Sequence, residues 1–176
     1  MSEEIIRIAN CSGYYGDKLS AAKEMVDGGP IDVLTGDYLA ELTMTILFNQ
    51  RMQRGEDKGY VGTFLKQVKA VAKSCKEQNI KIVTNAGGLN PSSMANEIEK
   101  ILDELNISLK VAYITGDDLM PRMDSLKMKE NYFLTLIKIF RLINQDVKHS
   151  QQMLILEPGE LKRHWMKALI LLYAQG

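Results

Sequence analysis

The stretch Lys81–Leu105, KIVTNAGGLNPSSMANEIEKILDEL, decides the fold. It passes from an apolar strand pattern through two glycines into an amphipathic helix pattern. Ile80–Thr84 reads as the strand, and Ile98, Ile101, Leu102 and Leu105 fall on one helical face. Asn90 stands where a helix cap is needed and Pro91 at the first helical position, which together predict a helix start. Amides near Gly87, Gly88, Ser92 and Ser93 could cradle an anion, although the same turn serves as a plain connection.

Similar units lie on both sides. Glu4–Ala9 reads as a strand, followed by the loop NCSGYYGD and a helix from Leu19 to Asp27. Asp32–Leu34 reads as a short strand running into TGD, then a helix with Leu39, Leu42 and Ile46 on one stripe. A helix over Tyr60–Gln78 repeats Phe64, Val68, Val71, Ala72 and Cys75 at three- and four-residue steps. Leu109–Thr115 is the fourth strand, closed by GDD. Alternation of this kind predicts an α/β fold: a Rossmann-like parallel sheet of at least four strands with flanking helices.

In such a sheet all four loops sit at the carboxyl edge, where ligands bind. Gly-Asp then occurs three times on one rim, as Gly16-Asp17, Gly36-Asp37 and Gly116-Asp117. Glycine permits close backbone approach, and the acids accept hydroxyls, hold a cation or move protons. The same dipeptide is ordinary turn chemistry, with Asp capping the next helix. Asp37 and Glu41 share a face if the helix already includes Asp37. Cys11 reads as a buried thiol before it reads as a nucleophile.

The composition narrows the classes. Lys+Arg and Asp+Glu each number 22 in 176 residues, so no broad basic surface points to nucleic acid. No apolar run approaches the roughly 18 residues of a membrane span, and the acidic start MSEEIIRIAN is unlike a signal peptide. Cys11 and Cys75 fit no metal spacing, and a cytoplasmic setting is expected. The N-A-G after a strand also occurs in short-chain dehydrogenases. Their Gly-rich first loop is missing, and the Tyr-x-x-x-Lys pair appears only as Tyr14 and Lys18, in the first loop. Neither a G-x-G-x-x-G nor a P-loop is present.

The ordered loop wording resembles the acyclic terpene utilisation (AtuA-like) family. The stretches carrying it are RIANCSGYYGDKLSAA, VDGGPIDVLTGDYLAELTM, GYVGTFLKQV, VTNAGGLNPSS and GDDLMPRM, from Ile6 to Met123. The resemblance implies a role in catabolism of acyclic terpenes or branched acyl-CoA compounds. It implies a small-molecule substrate, a CoA thioester among the options, with no nucleic-acid or membrane partner and an oligomer open for the intact family protein. It assigns no reaction, metal or cofactor. Asp37 and Asp117 are the catalytic candidates. Asn10, Gly13, Gly16, Asp17, Thr35, Gly36, Glu41, Asn85, Gly87, Gly88, Asn90, Gly116 and Asp118 are the substrate- or phosphate-binding candidates. A non-catalytic subunit that organises pathway enzymes, or an inactive truncated product, is the rival reading.

The division expected is an amino-terminal family part over 1–128 and a non-family tail over 129–176. Residues 131–176 hold 6 Lys+Arg against 3 Asp+Glu, reversing the 16 against 19 of residues 1–130. Both histidines and the only tryptophan, Trp165, lie in that tail. A shifted reading frame is the expected explanation, because one set of codons compatible with the tail, read from the third base, gives family-like N-A-Y-x-G and G-A-D-I-V wording. The tail is then expected to add little to the core, with at most a helix from Pro158 carrying Leu161, Trp165, Leu169 and Leu172.

Overall fold

The computed structural model describes residues 5–116, 118 and 170–173. Its elements in chain order are β1 (Ile8–Asn10), α1 (Ala21–Asp27), β2 (Val33–Gly36), α2 (Glu41–Arg54), α3 (Gly62–Glu77), β3 (Lys81–Thr84), α4 (Pro91–Glu104), β4 (Lys110–Tyr113) and β5 (Ile170–Tyr173). The fold is mixed α/β. Strands β1, β2 and β3 form a contiguous parallel sheet, with Ile8 opposite Val33 and Val33 opposite Lys81.

The fourth strand departs from expectation. The sheet order is β1-β2-β3-β5-β4, and β5 pairs antiparallel with both β3 and β4. Two antiparallel steps restore direction, so β4 runs the same way as β1–β3 without touching β3. Leu171 pairs with Val83 on one side and Ala112 on the other, supplying the ladder that β4 would otherwise lack. Leu172 therefore lies in a strand rather than on the expected helix, and these four tail residues sit inside the sheet. Leu161, Trp165 and Leu169 lie outside the described residues. A short apolar run such as ILLY fits either period, and the open ladder positions select the strand.

Helix α3 supplies the centre of the core. Phe64, Val68, Val71, Ala72 and Cys75 are each 1% exposed or less, as their spacing predicts. Each large apolar side chain so buried contributes about 1.5–3 kcal/mol. From the other helices come Val26 of α1, Leu47 of α2, and Met94, Ile98 and Leu102 of α4, while Leu34 and Ile82 enter from the strands.

Helix α2 corrects a second expectation. It starts at Glu41, after an extended Ala40 with φ −144° and ψ 171°, so Asp37 is not helical and shares no helix face with Glu41. That start turns Thr43 and Leu47 inward and leaves Leu42 71% exposed. The first strand is also shorter than expected, leaving Ile5 and Ile6 exposed ahead of it.

Candidate functional site

Because β1, β2 and β3 are parallel, their carboxyl ends deliver Asn10, Thr35, Asp37 and Asn85 to one edge. Thr35 Oγ1 contacts Ala9 O and Asn10 Oδ1, each at 3.2 Å. Asn85 works with both halves of its amide. Its Oδ1 accepts from the Tyr38 amide at 2.8 Å, and its Nδ2 donates to Asp37 Oδ1 at 2.6 Å. Asp37 is exposed, and among the described residues nothing donates to its Oδ2. The result is a polar row across three strand ends, with one carboxylate oriented by a neighbour and open to solvent.

The loop after β1 is tied to β2. The Cys11 amide donates to Thr35 O at 2.8 Å and the Asp37 amide to Ser12 O at 3.0 Å. Within the loop, Asp17 accepts from the Gly13 amide at 3.0 Å and the Lys18 amide at 2.7 Å. These two donors, Gly13 first, hold the Asp17 carboxyl below its ordinary pKa. Asp17 thus organises its own loop. Gly16, at φ +97°, takes a backbone conformation that side-chain-bearing residues rarely adopt.

The loop after β3 is used differently. The Gly88 amide donates to Asn85 O at 3.2 Å, Leu89 to Gly59 O at 2.8 Å and Asn90 to Gly87 O at 2.9 Å. Asn90 caps α4 by accepting from the Ser93 amide at 3.2 Å, and its Nδ2 reaches Glu56 O at 2.9 Å and Lys58 O at 3.3 Å. Gly87 and Gly88 are buried. Of the anion cradle expected around Gly87, Gly88, Ser92 and Ser93, the Gly88 and Ser93 amides are engaged internally. Gly36 likewise makes room for a side chain: a Cβ there would lie 2.6 Å from the Tyr38 ring.

Some candidates do not join the row. Glu41 is exposed in the first turn of α2. Gly116 (φ +119°) and Asp118 are exposed beyond β4, and Asp117 lies outside the described residues. Among the described residues no three His, Cys, Asp or Glu side chains group as a metal site. No helix among them is long and apolar enough to cross a membrane.

Sequence reading missed the buried polar chain beneath the row. Tyr38 is 2% exposed, donates its hydroxyl proton to Gln67 Oε1 and lies 4.0 Å from Cys11 Sγ. Phe64 meets the Tyr38 ring edge-on, with centroids 5.8 Å apart. Burial raises the Tyr38 pKa and that of Cys11, and pushes Cys75 up to about 12. Cys11 is therefore a core thiol in this fold, not an activated nucleophile. The Tyr after Gly-Asp, unlike the other Gly-Asp loops, was the available signal.

The fold is thus that of a mixed α/β protein with a polar carboxyl edge. Residues 6–152 match the model of the acyclic terpene utilisation family protein AtuA, and the chain belongs to that family. The match runs past residue 128, where the family part was expected to end. No curated protein and no solved structure matches the chain.

Proposed function

We propose that the carboxyl edge binds a phosphate- or CoA-bearing acyl substrate, in the catabolism of acyclic terpenes or branched acyl-CoA compounds. The family supports the metabolic setting. The observation carrying the site is the row Asn10–Thr35–Asp37–Asn85, in which Asn85 orients an exposed Asp37 carboxylate at the strand ends. Asp37 then accepts a hydroxyl or takes a proton from the acyl portion, and Asn10 and Thr35 offer neutral donors and acceptors beside it. The arrangement is read as Rossmann-like, with the ligand seated outside the carboxyl ends of parallel strands.

Calorimetry with a branched acyl-CoA tests this reading. Binding to the wild-type chain is expected, with clear weakening in Asp37→Asn and an unchanged melting midpoint. If no acyl-CoA binds while pathway enzymes are retained on the immobilised chain, the interaction-subunit reading replaces it. Exposed Ile5 and Ile6 ahead of the edge strand β1, and exposed Ile8 within it, favour that rival.

A further inference from the structure

A cleft of about 330 Å³ lies beside the first loop, with Tyr15, Arg54, Lys58, Tyr60, Thr63 and Lys66 among its walls. It flanks the carboxyl edge. Tyr15 belongs to the loop after β1, and the Val61 amide ties the start of α3 to Ala86 O of the loop after β3 at 2.8 Å. Three cationic side chains share this space, drawn from the end of α2, the α2–α3 turn and the first turns of α3. Lys58 pairs with Asp57 at 2.5 Å. Among the described residues neither Arg54 nor Lys66 is paired with a carboxylate. The walls are otherwise uncharged. Tyr60 is 7% exposed, and Gln50 Nε2 donates to Tyr15 Oη at 3.1 Å, which leaves the Tyr15 hydroxyl proton to donate elsewhere.

Like charges drawn to one concave space repel one another until an anion enters, and a cleft lined by one sign of charge raises the local concentration of anions. A guanidinium fork and ammonium groups together suit phosphate oxygens, and a diphosphate balances several cations better than one carboxylate does. We infer that this cleft holds the diphosphate group of a ligand. The inference deepens the proposed function, resting on it only for what the diphosphate is attached to: the rim takes the acyl end and the cleft the anionic end.

Titration of the full chain with inorganic pyrophosphate, ADP and coenzyme A tests it, in wild type, in the double variant Arg54→Gln/Lys66→Gln, and in Asp37→Asn. All three probes are expected to bind wild type, and the double variant to weaken each by about tenfold or more, as loss of charge-assisted bonds requires. Both cations are exposed, so the melting midpoint of the double variant should not move. Raising salt should weaken pyrophosphate binding in wild type more than in the double variant. Tighter binding of coenzyme A than of pyrophosphate would identify the thioester carrier as the source, and equal binding a free diphosphate. Pyrophosphate that fails to bind, or binds wild type and double variant alike, overturns the cleft. Acyl-CoA binding that responds to Asp37→Asn but not to the double variant also overturns the cleft and keeps the rim. Sensitivity to the double variant alone keeps the cleft and overturns the rim.

Discussion

Gly13 and Gly88 both follow parallel strands of one sheet, yet their surroundings are opposite. A Cβ added at Gly13 meets nothing within 4 Å, whereas one at Gly88 meets Leu47 Cδ1 and, at 2.8 Å, Gly59 O. The first loop leaves space beside its glycines; the third fills it with helix α2 and the turn before α3. Loops with the same vocabulary of Gly, Asn and Ser therefore divide the work. One fastens three elements together, and the other leaves room for a ligand. On this contrast, glycine and cap substitutions in the third loop cost much stability and substitutions in the first cost little.

The largest effect is expected at Gly88→Ala. The backbone there has φ +52°, and the added methyl meets a carbonyl oxygen that belongs to backbone and yields little. Left-handed strain and overpacking each cost about 1–3 kcal/mol. Chemical denaturation should show a loss of about 3 kcal/mol, while Gly13→Ala stays within about 0.5 kcal/mol. Equal losses at the two positions would erase the contrast.

Asn90→Ala comes next. A lost cap costs about 1 kcal/mol. Asn90 also satisfies the Glu56 and Lys58 carbonyls, which raises the expected loss to about 2 kcal/mol. A loss confined to the fraying of α4, with the 56–59 turn equally protected from hydrogen exchange, would reduce Asn90 to a cap alone.

Asp37→Asn sharpens the other side of the contrast. Exposed loop acids add little to folding, so the melting midpoint should stay put while acyl-CoA affinity falls. A shifted midpoint would make the Asp37–Asn85 contact a fastening of the same kind as Asn90.

Legibility in the sequence followed the distance over which each feature is determined. The buried face of α3 and the start of α4 at Asn90–Pro91 depend on neighbours within a turn or two, and both stand where the spacing placed them. The strand ends that gather Asn10, Thr35 and Asp37 were legible once the parallel order was assumed. The Asn85–Asp37 bond joins residues 48 apart, and no local pattern announces it. Strand β5 was illegible for the same reason, since its period is ambiguous and its partners Val83 and Ala112 lie far back in the chain. The stripe on α2 was misread because its phase is set by the extended Ala40, which turns Thr43 rather than Leu42 inward.

The smallest expected effect concerns how the open loop keeps its shape. Asp17 accepts two backbone amides, and its carboxyl lies below the ordinary value for that reason. A folded pKa below the unfolded one means that the unfolded chain takes up its proton first as the solution is acidified. The stabilisation is therefore fully present above the ordinary Asp pKa of about 3.9 and fades as pH falls through the lower folded value. Asp17→Asn keeps an acceptor oxygen but removes the charge, so its melting midpoint should lie slightly below wild type at neutral pH, and the gap should close toward acid. Glu24 is also held below its ordinary value, by Lys18 and Ser20, but it titrates in both proteins and cancels in the difference. A gap that stays constant down to acid unfolding would mean that the Gly13 and Lys18 amides do not favour the ionised carboxylate. The first loop would then owe its shape to the Ser12 and Tyr14 contacts instead.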